Sequence, residues 1–130
     1  MKFGYTIIYV ESVEETLAFY QRAFGFALKF LHDSKAYGEL ATGETTLAFA
    51  SHTMGDMNLG GEYTKADINE KPFGVELAFV TDDVPAAFDK AVEAGAISIK
   101  EPEPKPWGQV VAYVRAADGS IVELCSPVGG

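Results

Sequence analysis

Gly74-Val75-Glu76-Leu77-Ala78-Phe79-Val80 leads through Thr81-Asp82-Asp83 into Val84-Pro85-Ala86-Ala87-Phe88-Asp89-Lys90-Ala91 and closes at Gly95. The first run reads as a short strand and the second as an amphipathic helix. The same pattern stands earlier in the chain. Phe3-Gly4-Tyr5-Thr6-Ile7-Ile8-Tyr9-Val10 is a strand, and Val13-Glu14-Glu15-Thr16-Leu17-Ala18-Phe19-Tyr20 begins a helix that closes at Gly25. Val84 falls 71 positions after Val13, and Gly95 falls 70 after Gly25. A strand-helix-strands unit used twice places the expected ligand site between the copies.

Local signals fill in each copy. Ser12 suits an N-cap, and Glu14 and Glu15 stand in the first turn, where the helix dipole favours acids. Leu17, Phe19, Tyr20, Ala23 and Phe24 supply the buried face, with Gly25 as C-cap. Strands are expected over 28–32, 36–41 and 45–51, separated by turn signals at Asp33-Ser34 and Thr42-Gly43. In the second copy Thr81 or Asp82 is the expected cap and Pro85 suits the first turn. A short strand over 97–100 precedes the proline-rich run 101–106, expected to be an extended loop. Strands over 109–115 and 121–126 flank the turn at Ala117-Asp118-Gly119. The fold class is α+β, with a β-α-β-β-β module over 1–53 and another over 73–130, together forming one domain. Between them, 54–72 loses periodicity around Gly60-Gly61 and reads as a linker or a lid loop.

Composition narrows the function classes. The chain has 130 residues, 48% of them hydrophobic and 22% charged, as in ordinary globular proteins. No apolar run approaches the roughly 20 residues that span a bilayer, and the N-terminus lacks the layout of a secretory signal. A net charge of −9 opposes binding to nucleic acid or to anionic membranes. It suits a cationic ligand, and equally it keeps a protein in solution. The lone cysteine, Cys125, forms no internal disulfide, fits a reducing cytoplasm, and reads as a core thiol without a histidine partner. There is no glycine-rich phosphate loop and no Gly-x-Ser-x-Gly elbow.

Several segments, in order and duplicated, carry a resemblance. They are Phe19-Tyr20 with Gly25, Thr81-Asp82-Asp83-Val84 with Gly95, Pro106-Trp107-Gly108, and Asp118-Gly119-Ser120-Ile121-Val122-Glu123-Leu124. Together they resemble the vicinal oxygen chelate superfamily: glyoxalase I, extradiol dioxygenases, fosfomycin resistance enzymes and bleomycin resistance proteins. The resemblance covers nearly the whole chain. It implies two modules whose mixed sheets curl around a cleft, and it implies a homodimer. Metal-dependent members hold their ion with His, Glu or Gln on the first and last strands of each module. By the 71-position spacing Tyr5 answers to Glu76, and aligning Phe49 with Leu124, 75 positions apart, sets Ala48 opposite Glu123, so those positions are Tyr5, Ala48, Glu76 and Glu123. Two are carboxylates, one is a phenol with a pKa near 10, and one has no donor, whereas a catalytic divalent site wants about three protein ligands. His32 and His52 lie outside these positions. The expectation is a site without a metal or other cofactor.

The remaining candidates are aromatic. Trp107, the only tryptophan, stands in a loop-strand junction, fit for a ligand or dimer contact or for simple packing. Bleomycin resistance proteins carry a similar Pro-Trp-Gly segment before a strand that lines the drug groove. Phe30, Tyr37, Phe49 and Tyr113 lie on strands expected to curve around the cleft, with Tyr5 and His52 completing the lining. Glu76 and Glu123 either face solvent or orient a bound ligand. The resemblance implies a metal-independent binder of an aromatic or cationic antibiotic or natural product, acting by sequestration. The enzyme-class alternative is a glyoxalase-like lyase, isomerase or dioxygenase using Glu76 and Glu123. A general small-molecule sensor is the third.

Overall fold

In the computed structural model of the chain, which describes residues 1–129, the residues cluster into two compact units, Met1–Ala66 and a second from Asp67 onward. Unit 1 runs β1 (Tyr5–Val10), α1 (Val13–Phe24), β2 (Ala27–Leu31), β3 (Tyr37–Ala41), β4 (Thr46–Ser51) and α2 (His52–Leu59). Unit 2 runs β5 (Glu76–Val80), α3 (Val84–Glu93), β6 (Ile97–Pro104), β7 (Val110–Arg115) and β8 (Ile121–Cys125). Each unit has one four-stranded sheet, in the order β1-β4-β3-β2 or β5-β8-β7-β6. The first and last strands of each unit pair parallel, and the other pairs are antiparallel. The α+β class and the duplicated β-α-β-β-β order expected from the sequence are both present. Among the described residues no helix is long and apolar enough to cross a membrane.

The helices begin where capping chemistry permits. The Glu15 N–H donates to Ser12 Oγ at 3.2 Å, and Gly25 ends α1 with φ 77. The cap of α3 is Asp83, not Thr81 or Asp82: its carboxylate accepts from the Ala86 N–H at 3.1 Å, and Pro85 stands in the first turn. Burial follows the apolar stripes. Tyr20 is fully buried and its ring lies 4.8 Å from that of Phe49. A Cβ on Gly38 would meet Leu17. Leu40, Leu47 and Phe49 thus belong to the face of the first sheet that α1 covers. In unit 2, Val114, Val122 and Leu124 alternate with the polar face and pack with Val84, Phe88 and Ala91 of α3 in the core.

Two stretches differ from expectation. The 54–72 segment is not loop throughout, because α2 occupies its start. Ser51 accepts from the Met54 N–H at 3.2 Å and Gly60 closes the helix in the left-handed region at φ 64. Only Gly55 of this helix is buried, so its caps and polar side-chain contacts to Tyr9 and Tyr63, not an apolar stripe, hold it. In unit 2 the proline-rich run is strand as far as Pro104, with Glu103 opposite Val111 and Pro104 opposite Val110. Proline is tolerated because β6 is an edge strand with register shifts on both sides of Lys100.

Candidate functional site

In each sheet one face meets the helix and the other presents polar and aromatic side chains. Pairing registers fix which residues share that second face. In unit 2, Ala78 is level with Glu123, Glu123 with Tyr113, and Glu76 with Ile121. The Tyr113 hydroxyl donates to Glu123 Oε1 at 3.0 Å. Glu76 is exposed at the start of β5, yet partial desolvation against the sheet pushes its carboxyl above the usual carboxylate range, and a hydrogen bond with Glu123 and the charge of Glu123 push it further. Adjacent carboxylates resist double ionisation, so Glu76 keeps its proton to higher pH than a free carboxyl. Burial, the bond to Glu123 and its charge also lift Tyr113 to about 12, and the same causes lift the Cys125 thiol to about 11. Cys125 is buried and stays a thiol at neutral pH.

Unit 1 distributes its donors differently. Ala48 occupies the position equivalent to Glu123, with the same parallel register: Tyr5 is level with Thr46 as Glu76 is with Ile121. The carboxylate appears one strand over. Glu39 is level with Ala48, just as Tyr113 is level with Glu123. Glu39 is 6% exposed, accepts from the Tyr37 hydroxyl at 2.7 Å, and has Lys29 Nζ at 3.5 Å. Burial raises the Tyr37 phenol, and its bond to Glu39, the charge of Glu39 and the neighbouring Tyr5 raise it further. Each sheet thus carries one tyrosine–glutamate hydrogen bond, with carboxylate and non-carboxylate exchanged between the middle and last strands. Sequence reasoning missed Glu39, although the spacing Tyr37-Gly38-Glu39 already puts both side chains on one face of a strand.

The other candidates separate. Phe30 is level with Glu39 and its ring lies 6.0 Å from Tyr37. Tyr5 and Phe30 are 58% and 42% exposed. Phe49 is not a site residue: it has no exposed surface and packs against Tyr20 on the helix side. His52 joins a different group, where its Nδ1 lies 2.8 Å from the Tyr63 hydroxyl, Tyr63 stacks on Tyr9 at 5.1 Å, and Asn58 donates to the Tyr9 hydroxyl. Burial lowers the His52 pKa, and Lys65 lowers it further, so its ring is neutral near pH 7. Tyr9 and Tyr63 were not singled out by the sequence. Trp107 is 62% exposed, and its indole N–H donates to Gln109 at 2.7 Å. Gln109 in turn donates to the Ser126 carbonyl at 2.8 Å, which ties the ring to the ends of β7 and β8.

These residues do not suit the metal centre that the resemblance implies at Tyr5, Ala48, Glu76 and Glu123. Ala48 is a buried methyl, Tyr5 is a phenol, and the two carboxyls are engaged with each other and with Tyr113. Among the described residues no three His, Cys, Asp or Glu side chains gather as metal ligands do.

Residues 3–129 match the family described as Glyoxalase-like domain. An uncharacterized protein of Bacillus subtilis (strain 168), YraH, is 26% identical over 117 residues, which are 88% of this chain and 90% of that protein. A glyoxalase-related enzyme from Fulvimarina pelagi superposes with a TM-score of 0.82 at 20% identity, over 98% of this chain and 88% of that one. A glyoxalase/bleomycin resistance protein/dioxygenase family enzyme from Burkholderia phytofirmans PsJN gives 0.80 at 22% identity, over 97% and 98%. At these identities the structural likeness shows the fold.

Proposed function

Since the chain belongs to the glyoxalase-like domain family, within the glyoxalase/bleomycin resistance/dioxygenase superfamily, we propose that it binds a small molecule without a metal ion and releases it unchanged. The observation that carries this reading is the Tyr113–Glu123–Glu76 cluster. Two of the four positions that the resemblance assigns to metal ligands, Glu76 and Glu123, are here engaged in hydrogen bonds that can orient a polar ligand. The ligand class is an aromatic or cationic natural product such as an antibiotic, held by a homodimer that sequesters it. Exposed Trp107, Tyr5 and Phe30 offer rings for stacking, and a cation over such a ring gains further attraction.

Fluorescence titration tests the reading, because Trp107 is the only tryptophan. Bleomycin and a panel of aromatic cations are titrated, and each ligand is recovered for mass spectrometry. Saturable change with unaltered ligand mass is expected, together with no micromolar 1:1 binding of Ni²⁺, Zn²⁺, Mn²⁺ or Fe²⁺ by calorimetry. A chemically modified ligand or tight metal uptake overturns it. The raised Glu76 carboxyl favours a second reading, a glyoxalase-like lyase or isomerase in which Glu76 moves a proton. On that reading the recovered ligand is altered, and Glu76→Gln leaves it unaltered.

A further inference from the structure

We infer that Glu39 of unit 1 is the anchor for the cationic group of an aromatic ligand, and that Lys29 is a resident counter-ion which that group displaces. This rests on the small-molecule reading above and adds where a positive charge goes. Glu39 has only 8% of its side chain exposed, yet it lies on the sheet face that α1 does not cover. A carboxylate offers about four acceptor sites. Tyr37 fills one at 2.7 Å. Lys29 stands at 3.5 Å, outside the roughly 2.7–2.9 Å of a strong charge-assisted hydrogen bond. Its side chain is 54% exposed on a flexible stem, so it leaves at little cost. The walls are apolar on both flanks: Ala48 is level with Glu39 on β4, and Phe30 is level with it on β2. Partly exposed Phe30, with its ring 6.0 Å from Tyr37, gives a flat cation a surface to lie on. A planar amidinium or guanidinium matches this arrangement, since it pairs with a carboxylate through two parallel hydrogen bonds. The Glu123 cluster lacks this feature: the neighbour there is a second carboxyl, not a displaceable lysine.

The test titrates 4-aminobenzamidine and its neutral analogue 4-aminobenzamide against the wild-type protein, Lys29→Met, Glu39→Gln and Glu76→Gln, with thermal unfolding confirming that each variant folds. The wild type is expected to prefer the amidine by about tenfold, the scale of one charge-assisted hydrogen bond. Lys29→Met is expected to tighten the amidine by about threefold while leaving the amide unchanged, because a competing cation is gone. Glu39→Gln keeps an acceptor for Tyr37 and is expected to erase the preference. A Lys29→Met variant with unchanged or weaker amidine binding overturns the inference, since a merely structural ion pair has no reason to oppose the ligand. Amidine binding that depends on Glu76 but ignores Lys29 and Glu39 overturns it as well and leaves the binding function standing. Failure of the wild type to bind either probe overturns the inference, while the titration with bleomycin and other aromatic cations judges the binding function separately.

Discussion

Glu76 holds its carboxyl beside Glu123 and pays for the proximity when both ionise. Burial is the larger cause of its raised pKa, and the bond and charge of Glu123 follow. Glu123, Tyr113 and Cys125 are the groups that share its surroundings. The sign follows from linkage. A carboxyl whose folded pKa exceeds its unfolded value binds more protons when folded, so stability falls as pH rises from about 4.5 through the folded pKa. Replacing Glu76 with neutral Gln removes that loss and keeps a donor for Glu123. Glu76→Gln is therefore expected to raise Tm at pH 7.5 and to bring no gain at pH 4. Thermal unfolding at the two pH values checks this, and an equal change at both would refute a raised Glu76 carboxyl.

The elements show which local signals are readable without a structure. Ser12, Gly25 and Pro85 marked helix ends correctly because capping is settled within one turn. Helix α2 escaped because it has no apolar stripe; its caps, Ser51 and Gly60, were in plain view. The β6 prolines were misjudged because edge position is a property of the whole sheet, which no local window contains. The β7–β8 turn depends on similar context. Arg115 donates to the carbonyls of Gly119, Asp67, Ile68 and Glu70, pinning 67–70 against this turn. Gly119 sits at φ 97, and a Cβ there would lie 2.9 Å from the Asp67 carbonyl carbon. Backbone cannot swing aside as a side chain can, so strain and clash add. Gly119→Ala is expected to destabilise by about 1–3 kcal/mol. Urea unfolding measures it, and a variant as stable as the wild type would show that 67–70 yields freely.

At the scale of the molecule, duplication made half of the candidate site legible. Spacings of 71 and 75 positions equated Tyr5 with Glu76 and Ala48 with Glu123, and the strand registers agree. Glu39 stayed hidden because its importance depends on lying beside Ala48 across two strands, a relation that the β3–β4 register alone determines. Phe49 was misplaced for a related reason: in a strand buried over nearly its whole length, composition does not say which face a ring takes. Net charge is a property that no element owns. With −9 spread over 130 residues, the field around the chain attracts cations and is screened by salt over about 10 Å at 0.1 M. Contact terms such as stacking on Trp107 or Phe30 change little with salt. The affinity for 4-aminobenzamidine is thus expected to fall several-fold as NaCl rises from about 0.01 to 0.5 M, while that for 4-aminobenzamide holds steady. Parallel titrations across the salt series decide it. An amidine affinity indifferent to salt would leave the acidity with a role in solubility alone, and equal losses for both probes would trace the effect to something other than charge.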